Sequence, residues 1–327
     1  KIGHKLSNMF QTYHYLKSVK FPSSVNIIEV GPRDGLQNEK KFLSTDFKVE
    51  LIEQLAESGL KTIEATSFVS PKWIPQLKDS KQVFQRIHKL EGVNYPVLVP
   101  NLKGMESALE AGVKEVSVFT AASEAFCNKN INCSIDESFE RFSEVVNVAK
   151  KNEIKVRGYV SCCLGCPYEG DVDPKKVNEV TQRLLELGCY EVSLGDTIGK
   201  GTPVFYNIIE KTHTLLETLT VDMKKVSGHY HNTYDRAIEN IVISLSKGMV
   251  AFDSSVGGLG GCPYAEGSSG NVSTEDVLYL MEILGIKTNV DIEKVIKLGK
   301  KVQEFVGLEK RSSVTVHDLK DIDVYRK

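Results

Sequence analysis

Residues 155–194 read KVRGYVSCCLGCPYEGDVDPKKVNEVTQRLLELGCYEVSL, and this stretch decides the fold class. A β-branched run, Lys155 to Val160, leads through a loop into an amphipathic segment over 174–188, where Val177, Val180, Leu184 and Leu187 fall on one stripe. Pro174 suits the first turn of that helix, and a second run, Tyr190 to Leu194, follows it. Strand, helix and strand at this spacing form a βαβ unit of a parallel sheet. The same rhythm extends outward. Further candidate strands are Val25 to Val30, Lys61 to Ala65, Tyr95 to Val99, Glu115 to Phe119, Val226 to Tyr230 and Val250 to Ser254, which brings the count to eight. Another helix, over 136–151, places Phe139, Phe142, Val145, Val146 and Ala149 on one stripe. Eight βα repeats over about 255 residues match an α/β (β/α)8 TIM barrel, since doubly wound sheets more often carry about five to seven strands. The expected organisation is an N-terminal extension over 1–24 and a single barrel domain over 25–327, with a C-terminal helical appendage from about residue 290.

Composition narrows the function classes. The chain has 327 residues, 41% hydrophobic and 26% charged, which suits a large packed core and excludes disorder. With 41 Lys plus Arg against 43 Asp plus Glu, a net charge of -2 and no basic run, nucleic acid is not expected as a partner. The longest apolar runs reach about eight residues against the roughly 20 of a bilayer-spanning helix, so no membrane partner is expected. Seven cysteines, an odd number in a long chain, point to a reducing compartment. Cys163 and Cys166 have C-x-x-C spacing, but no second pair completes a zinc site, so with Cys162 they read as wall residues after the fifth strand. Residues 1–28 lack Asp and Glu and contain Lys1, Lys5, Lys17 and Lys20, a pattern that fits part of a targeting leader and equally a polar terminus.

Barrel enzymes carry their chemistry at the C-terminal ends of the strands. Those ends hold Gly31-Pro32-Arg33-Asp34-Gly35, Glu64, Gly195-Asp196-Thr197, His229-Tyr230-His231-Asn232-Thr233, and a glycine-rich stretch around Cys262 followed by Asn271. His229 and His231 are two apart on a strand, so both imidazoles project from one face. Alone, such a pair also fits a structural role. Joined by Asp34 and Asn271, it makes a two-histidine, carboxylate and amide set without thiolate, which suits Mg²⁺ or Mn²⁺ with open positions for a chelating substrate. Arg33, beside Asp34, offers a permanently charged fork for an enolate oxygen; the alternative is a surface ion pair. Glu64 and Asp196 either carry protons or hold Arg33 and the ligands in place. Cys262 lies among five glycines, a setting for a mobile loop bearing a proton-transferring thiol, or else for a small buried hydrophobe. That glycine run follows the last strand and lacks the context of a dinucleotide fingerprint, so no nucleotide cofactor is expected.

These residues resemble a known family. The motifs Val30 to Lys40 (VGPRDGLQNEK), Lys129 to Ser134, Arg157 to Cys162, Leu194 to Gly199 and Gly258 to Ala265 make the chain similar, over 25 to about 290, to the 3-hydroxy-3-methylglutaryl-CoA lyases. The resemblance implies a TIM barrel that performs a divalent-metal-dependent retro-Claisen cleavage of 3-hydroxy-3-methylglutaryl-CoA to acetoacetate and acetyl-CoA, in leucine breakdown and ketone-body formation. It also implies the site. Asp34, His229, His231 and Asn271 would bind metal; Asp34 would accept the hydroxyl proton and Arg33 would steady the enolate. Cys262 would transfer a proton from the loop, and Glu64 and Asp196 match acidic positions, with His229 counted among the catalytic residues. Lys40 either contacts the CoA ester or is a solvated lysine. A homodimer in the mitochondrial matrix is implied for a eukaryotic source, and a cytoplasmic location for a bacterial one; the C-terminal Tyr325-Arg326-Lys327 is not a peroxisomal signal. One departure stands out: where the family commonly reads H-x-H-D-T, Asn232 replaces the Asp, and in a strand it is expected to point away from the ligand face. An alternative on the same barrel is an acyl-CoA condensing enzyme of the isopropylmalate, citramalate or homocitrate synthase type, which shares the R-D-G and H-x-H features.

Overall fold

The structure, a computed structural model, describes residues 20–39, 41–199, 205–260 and 270–307 with Ser312, Val314 and Leu319. Its strands are β1 (Asn26–Glu29), β2 (Thr62–Ile63), β3 (Thr66–Ser67), β4 (Val97–Leu98), β5 (Glu115–Ala121), β6 (Lys155–Ser161), β7 (Glu191–Asp196), β8 (Val226–Tyr230) and β9 (Ala251–Ser254). The helices between and after them are α1 (Thr45–Glu57), α2 (Ser80–Arg86), α3 (Leu102–Glu110), α4 (Glu124–Ile131), α5 (Ile135–Lys151), α6 (Pro174–Leu187), α7 (Phe205–Thr218), α8 (Ala237–Ser246), α9 (Thr274–Leu284) and α10 (Ile292–Val306). Every strand pairs in parallel, in the order β2-β1-β9-β8-β7-β6-β5-β4-β3.

The two ends of that order, β2 and β3, are separated in the chain only by Glu64 and Ala65. They are the halves of the strand expected over 61–65, so the sheet curls round until its ends meet, as a (β/α)8 barrel requires. The N–H groups of Ile63 and Ala65 bond to Asn94 O and Pro96 O while that of Glu64 bonds to Glu29 O of β1, so the segment is held on both sides and closes the barrel. The adjoining strand is short because Pro96 brings no N–H to the ladder.

Outside the strands the helices bury the expected stripes. Phe142, Val145, Val146 and Ala149 of α5, and Val177, Val180 and Leu184 of α6, lie in one apolar core against the outward faces of the sheet. A capping box, Ser134 with Glu137, starts α5, and Asp173 caps α6 ahead of Pro174. α10 packs against α9, α1 and the turn at Val256–Gly258, where Gln303 Nε2 donates to Gly257 O.

A polar network crosses the barrel interior. Side-chain hydrogen bonds join strands that are not neighbours in the sheet: Tyr159 of β6 to Glu64, and Arg157 of β6 to Ser227 of β8 and Asp253 of β9. Such bonds can run only through the barrel. Near the mouth, buried Glu29 accepts from the N–H groups of Gly31 and Val256 and from Thr274 Oγ1, tying the turn after β1 to the turn after β9. Gly31 has to be glycine, because a Cβ there would stand 2.5 Å from Glu29 Oε1. Burial pushes the Glu29 carboxyl up to about 7 despite these bonds, and burial likewise pushes Glu275, which holds the N–H of Gly257, up to about 8.

A pH dependence follows. Unfolded glutamates ionise near about 4.3, so above that value the folded chain retains protons that the unfolded chain has lost, and this contribution lowers stability as pH rises toward about 8. Glu29→Gln keeps the acceptor oxygen and can donate to Thr274, but cannot ionise. Compared with wild type by thermal denaturation, the variant is expected to gain stability at pH 8 relative to pH 5; a pH-independent difference would contradict the account.

Candidate active site

Immediately after β1, the N–H groups of Arg33, Asp34 and Gly35 all converge on Val30 O, and Gly31–Gly35 form one wide helical turn. That turn is why adjacent Arg33 and Asp34 both reach the mouth. Arg33 is buried, not a surface ion pair: Nε donates to Glu64 Oε2 at 2.6 Å and Nη1 to Asp34 Oδ1 at 2.7 Å. Tyr159 closes the other side, with its ring centroid 5.4 Å from the guanidinium carbon and its hydroxyl on Glu64 Oε2 at 3.2 Å. Glu64 therefore lies where it holds Arg33.

His229 ends β8 facing inward, and His231 follows with its ring centroid 5.5 Å away. Residues 270–272 run back alongside: Asn232 N donates to Gly270 O, Val272 N to Tyr230 O, and His231 bridges Asn271 in antiparallel register. This short return places Asn271 at the ligand set although it lies 40 positions beyond His231. Its Nδ2 donates to Asp34 Oδ2 at 2.8 Å. Asp34, His229 and His231 each offer a ligand atom within 4.8 Å of the others.

The donor set fits a divalent ion. His229 Nδ1 is bonded to Asp253, which leaves Nε2, 3.8 Å from Asp34 Oδ2. The buried Nδ1 of His231 has no hydrogen-bond partner. His229 thus keeps Nε2, and His231 its orphaned Nδ1, for a cation. Burial and the neighbouring His229 push His231 down to about 4, so it is a neutral ligand at physiological pH. Burial raises the Asp34 carboxyl, but Arg33, His229 and Asn271 together hold it below the usual carboxylate range.

Asp196 ends β7, buried, with its backbone paired to Tyr230. Asn232 turns from the ligands to the start of α8, where Oδ1 accepts from Ala237 N and Nδ2 reaches Asp235. Cys162, Cys163 and Cys166 are buried after β6, with Cys162 N on Thr197 Oγ1 and Cys166 Sγ 3.0 Å from Ser123 Oγ. Lys40 and Cys262 lie outside the described residues.

Among the curated proteins, the chain is 55% identical over 284 residues to the mitochondrial hydroxymethylglutaryl-CoA lyase of Gallus gallus, covering 85% of this chain and 92% of the relative. It belongs to the hydroxymethylglutaryl-CoA lyase family. The HMGL-like family pattern matches residues 24–302. A relative from Pseudomonas aeruginosa named 3-hydroxy-3-isohexenylglutaryl-CoA/hydroxy-methylglutaryl-CoA lyase is 52% identical over 88% of this chain and 95% of its own. The crystal structure of hydroxymethylglutaryl-CoA lyase from Pseudomonas aeruginosa superposes with a TM-score of 0.87 at 50% identity, covering 92% of this chain and 99% of that one. Membership of the lyase family accounts for the barrel and does not favour the condensing alternative.

Sequence reasoning missed three residues that line this lyase site from beneath: Asp253, Arg157 and Tyr159. Their signal was charge or hydroxyl at inward positions of buried strands. Asp253 sits in AFDS, all four residues buried, and Arg157 and Tyr159 are two apart on β6.

Proposed function

We propose that this chain, a carbon–carbon lyase, cleaves 3-hydroxy-3-methylglutaryl-CoA to acetoacetate and acetyl-CoA in a divalent-metal-dependent reaction, with Mg²⁺ or Mn²⁺ as the ion. The observation that carries the metal is the convergence of Asp34, His229 and His231 within 4.8 Å with one uncommitted nitrogen on His231. Asp34, His229, His231 and Asn271 would hold the ion, which when bound supplies Lewis acidity to the substrate's hydroxyl and carbonyl oxygens.

The chain's own groups do the rest. Cleavage takes the proton from the tertiary hydroxyl, breaks the bond to the carbon next to the thioester, and sends that electron pair into a thioester enolate. Asp34, ionised at neutral pH, accepts the hydroxyl proton. Arg33, locked by Glu64 in a buried setting, faces the enolate oxygen, where a fixed positive fork is worth far more than in water. Cys262 returns a proton to the enolate carbon to give acetyl-CoA, and Asp196 supports the wall near His231. Lys40 is assigned to the acyl-CoA substrate. The mitochondrial relatives support a matrix location, with cytoplasm for a bacterial source, and a homodimer is proposed as the assembly.

The test is product release from 3-hydroxy-3-methylglutaryl-CoA by purified protein with Mg²⁺, with Mn²⁺ and with a chelator. Equal amounts of acetoacetate and acetyl-CoA, lost on chelation and restored by metal, are expected. No release by folded, metal-loaded protein would contradict the reading.

A further inference from the structure

We propose that Asp253 is the positioning residue of the site: fixed at the barrel axis by Arg157 and Ser193, it takes the Nδ1 proton of His229 as a hydrogen bond and so presents the bare Nε2 of that ring to the cation. The inference rests on the metal-dependent reading above.

Four donors close on this carboxylate. Arg157 Nη2 reaches Oδ1 at 2.7 Å and Nη1 reaches Oδ2 at 3.3 Å; Ser193 Oγ donates to Oδ2 at 2.8 Å and His229 Nδ1 lies 3.0 Å from the same oxygen. The Asp253 side chain has no solvent exposure, so its only means of carrying charge is this set of partners. Paired with the Arg157 guanidinium and accepting from Ser193, the carboxylate presents acceptor oxygens only, so the ring nitrogen facing it has to carry the proton. That fixes the tautomer. Arg157 is itself anchored on two further strands, through Glu191 and Ser227. The carboxylate therefore cannot swing, and the imidazole plane is set by a frame of four strands rather than by its own rotamer.

Two measurements test this. In ¹⁵N-histidine-labelled wild-type protein loaded with Mg²⁺, two-bond ¹⁵N–¹H spectra are expected to show His229 protonated on Nδ1, with His229→Gln used to assign the signals. A bare Nδ1 on His229 would overturn the proposal. In the second, Mn²⁺ affinity is read by electron paramagnetic resonance for Asp253→Asn and for Arg157→Met/Asp253→Asn, the latter removing both buried charges so that folding does not depend on an orphaned guanidinium. Either variant is expected to bind Mn²⁺ roughly 10–100-fold more weakly, with saturating Mn²⁺ recovering much of kcat. Wild-type-like affinity in a folded variant would reduce Asp253 to a counter-ion of Arg157. Failure of wild type itself to bind Mn²⁺ would overturn the metal reading and this inference with it.

Discussion

Arg33→Ala is expected to lower kcat for 3-hydroxy-3-methylglutaryl-CoA cleavage by at least roughly 10²–10³-fold, the usual cost of removing one preorganised donor from a developing oxyanion. The guanidinium is buried and its Nε and Nη2 both lie 2.6 Å from Glu64 Oε2, so its orientation is set before substrate arrives. Burial works against its charge, but Glu64 and Asp34 raise its pKa above the ordinary arginine value, and it remains a cation throughout catalysis. Truncation also strands Glu64, which has no solvent exposure, and breaking a buried pair costs about 3–5 kcal/mol. The double variant Arg33→Ala/Glu64→Gln separates the two effects: thermal stability returns, turnover does not. Arg33→Lys keeps the charge but not the fork, and is expected to stay well below wild type. Steady-state kinetics at saturating metal decide the matter, and turnover within tenfold of wild type in Arg33→Ala would contradict the assignment.

Asp34→Asn is expected to abolish turnover by removing both a ligand of the cation and the group that accepts the hydroxyl proton. Asp34 supplies the one ionised oxygen among the proposed ligands, and the amide keeps its size but can accept from only one of Asn271 and Gln37. Metal affinity should fall by more than the roughly 10–100-fold typical of losing an outer contact. Mn²⁺ titration of the variant measures this. Native-like Mn²⁺ affinity with lost turnover would instead make Asp34 a base alone.

Much of this was legible in the chain because it is local. The alternation of β-branched runs and striped helices needs no knowledge of what lies opposite, and the site residues Arg33, Asp34, Glu64, His229 and His231 sit at strand ends, where a barrel presents them. Asn271 was legible as a motif residue, although the return of 270–272 along the end of β8 that delivers it was not. What stayed hidden was pairing through the interior. Asp253 and Arg157 are 96 positions apart, and Glu29 meets Thr274 across 245. Period-two alternation says which strand residues face inward, yet not which of them meet. Asn232 shows the converse. A departure from the family pattern next to the ligands is absorbed by a local helix-start contact with Ala237.

The most direct test of a cation bound by Asp34, His229, His231 and Asn271 is anomalous X-ray scattering from crystals of the protein soaked in Mn²⁺. The account predicts a single strong manganese peak in contact with Asp34 and both histidines at the barrel mouth. A soaked, ordered site with no peak there, or a peak held by other residues, would contradict it.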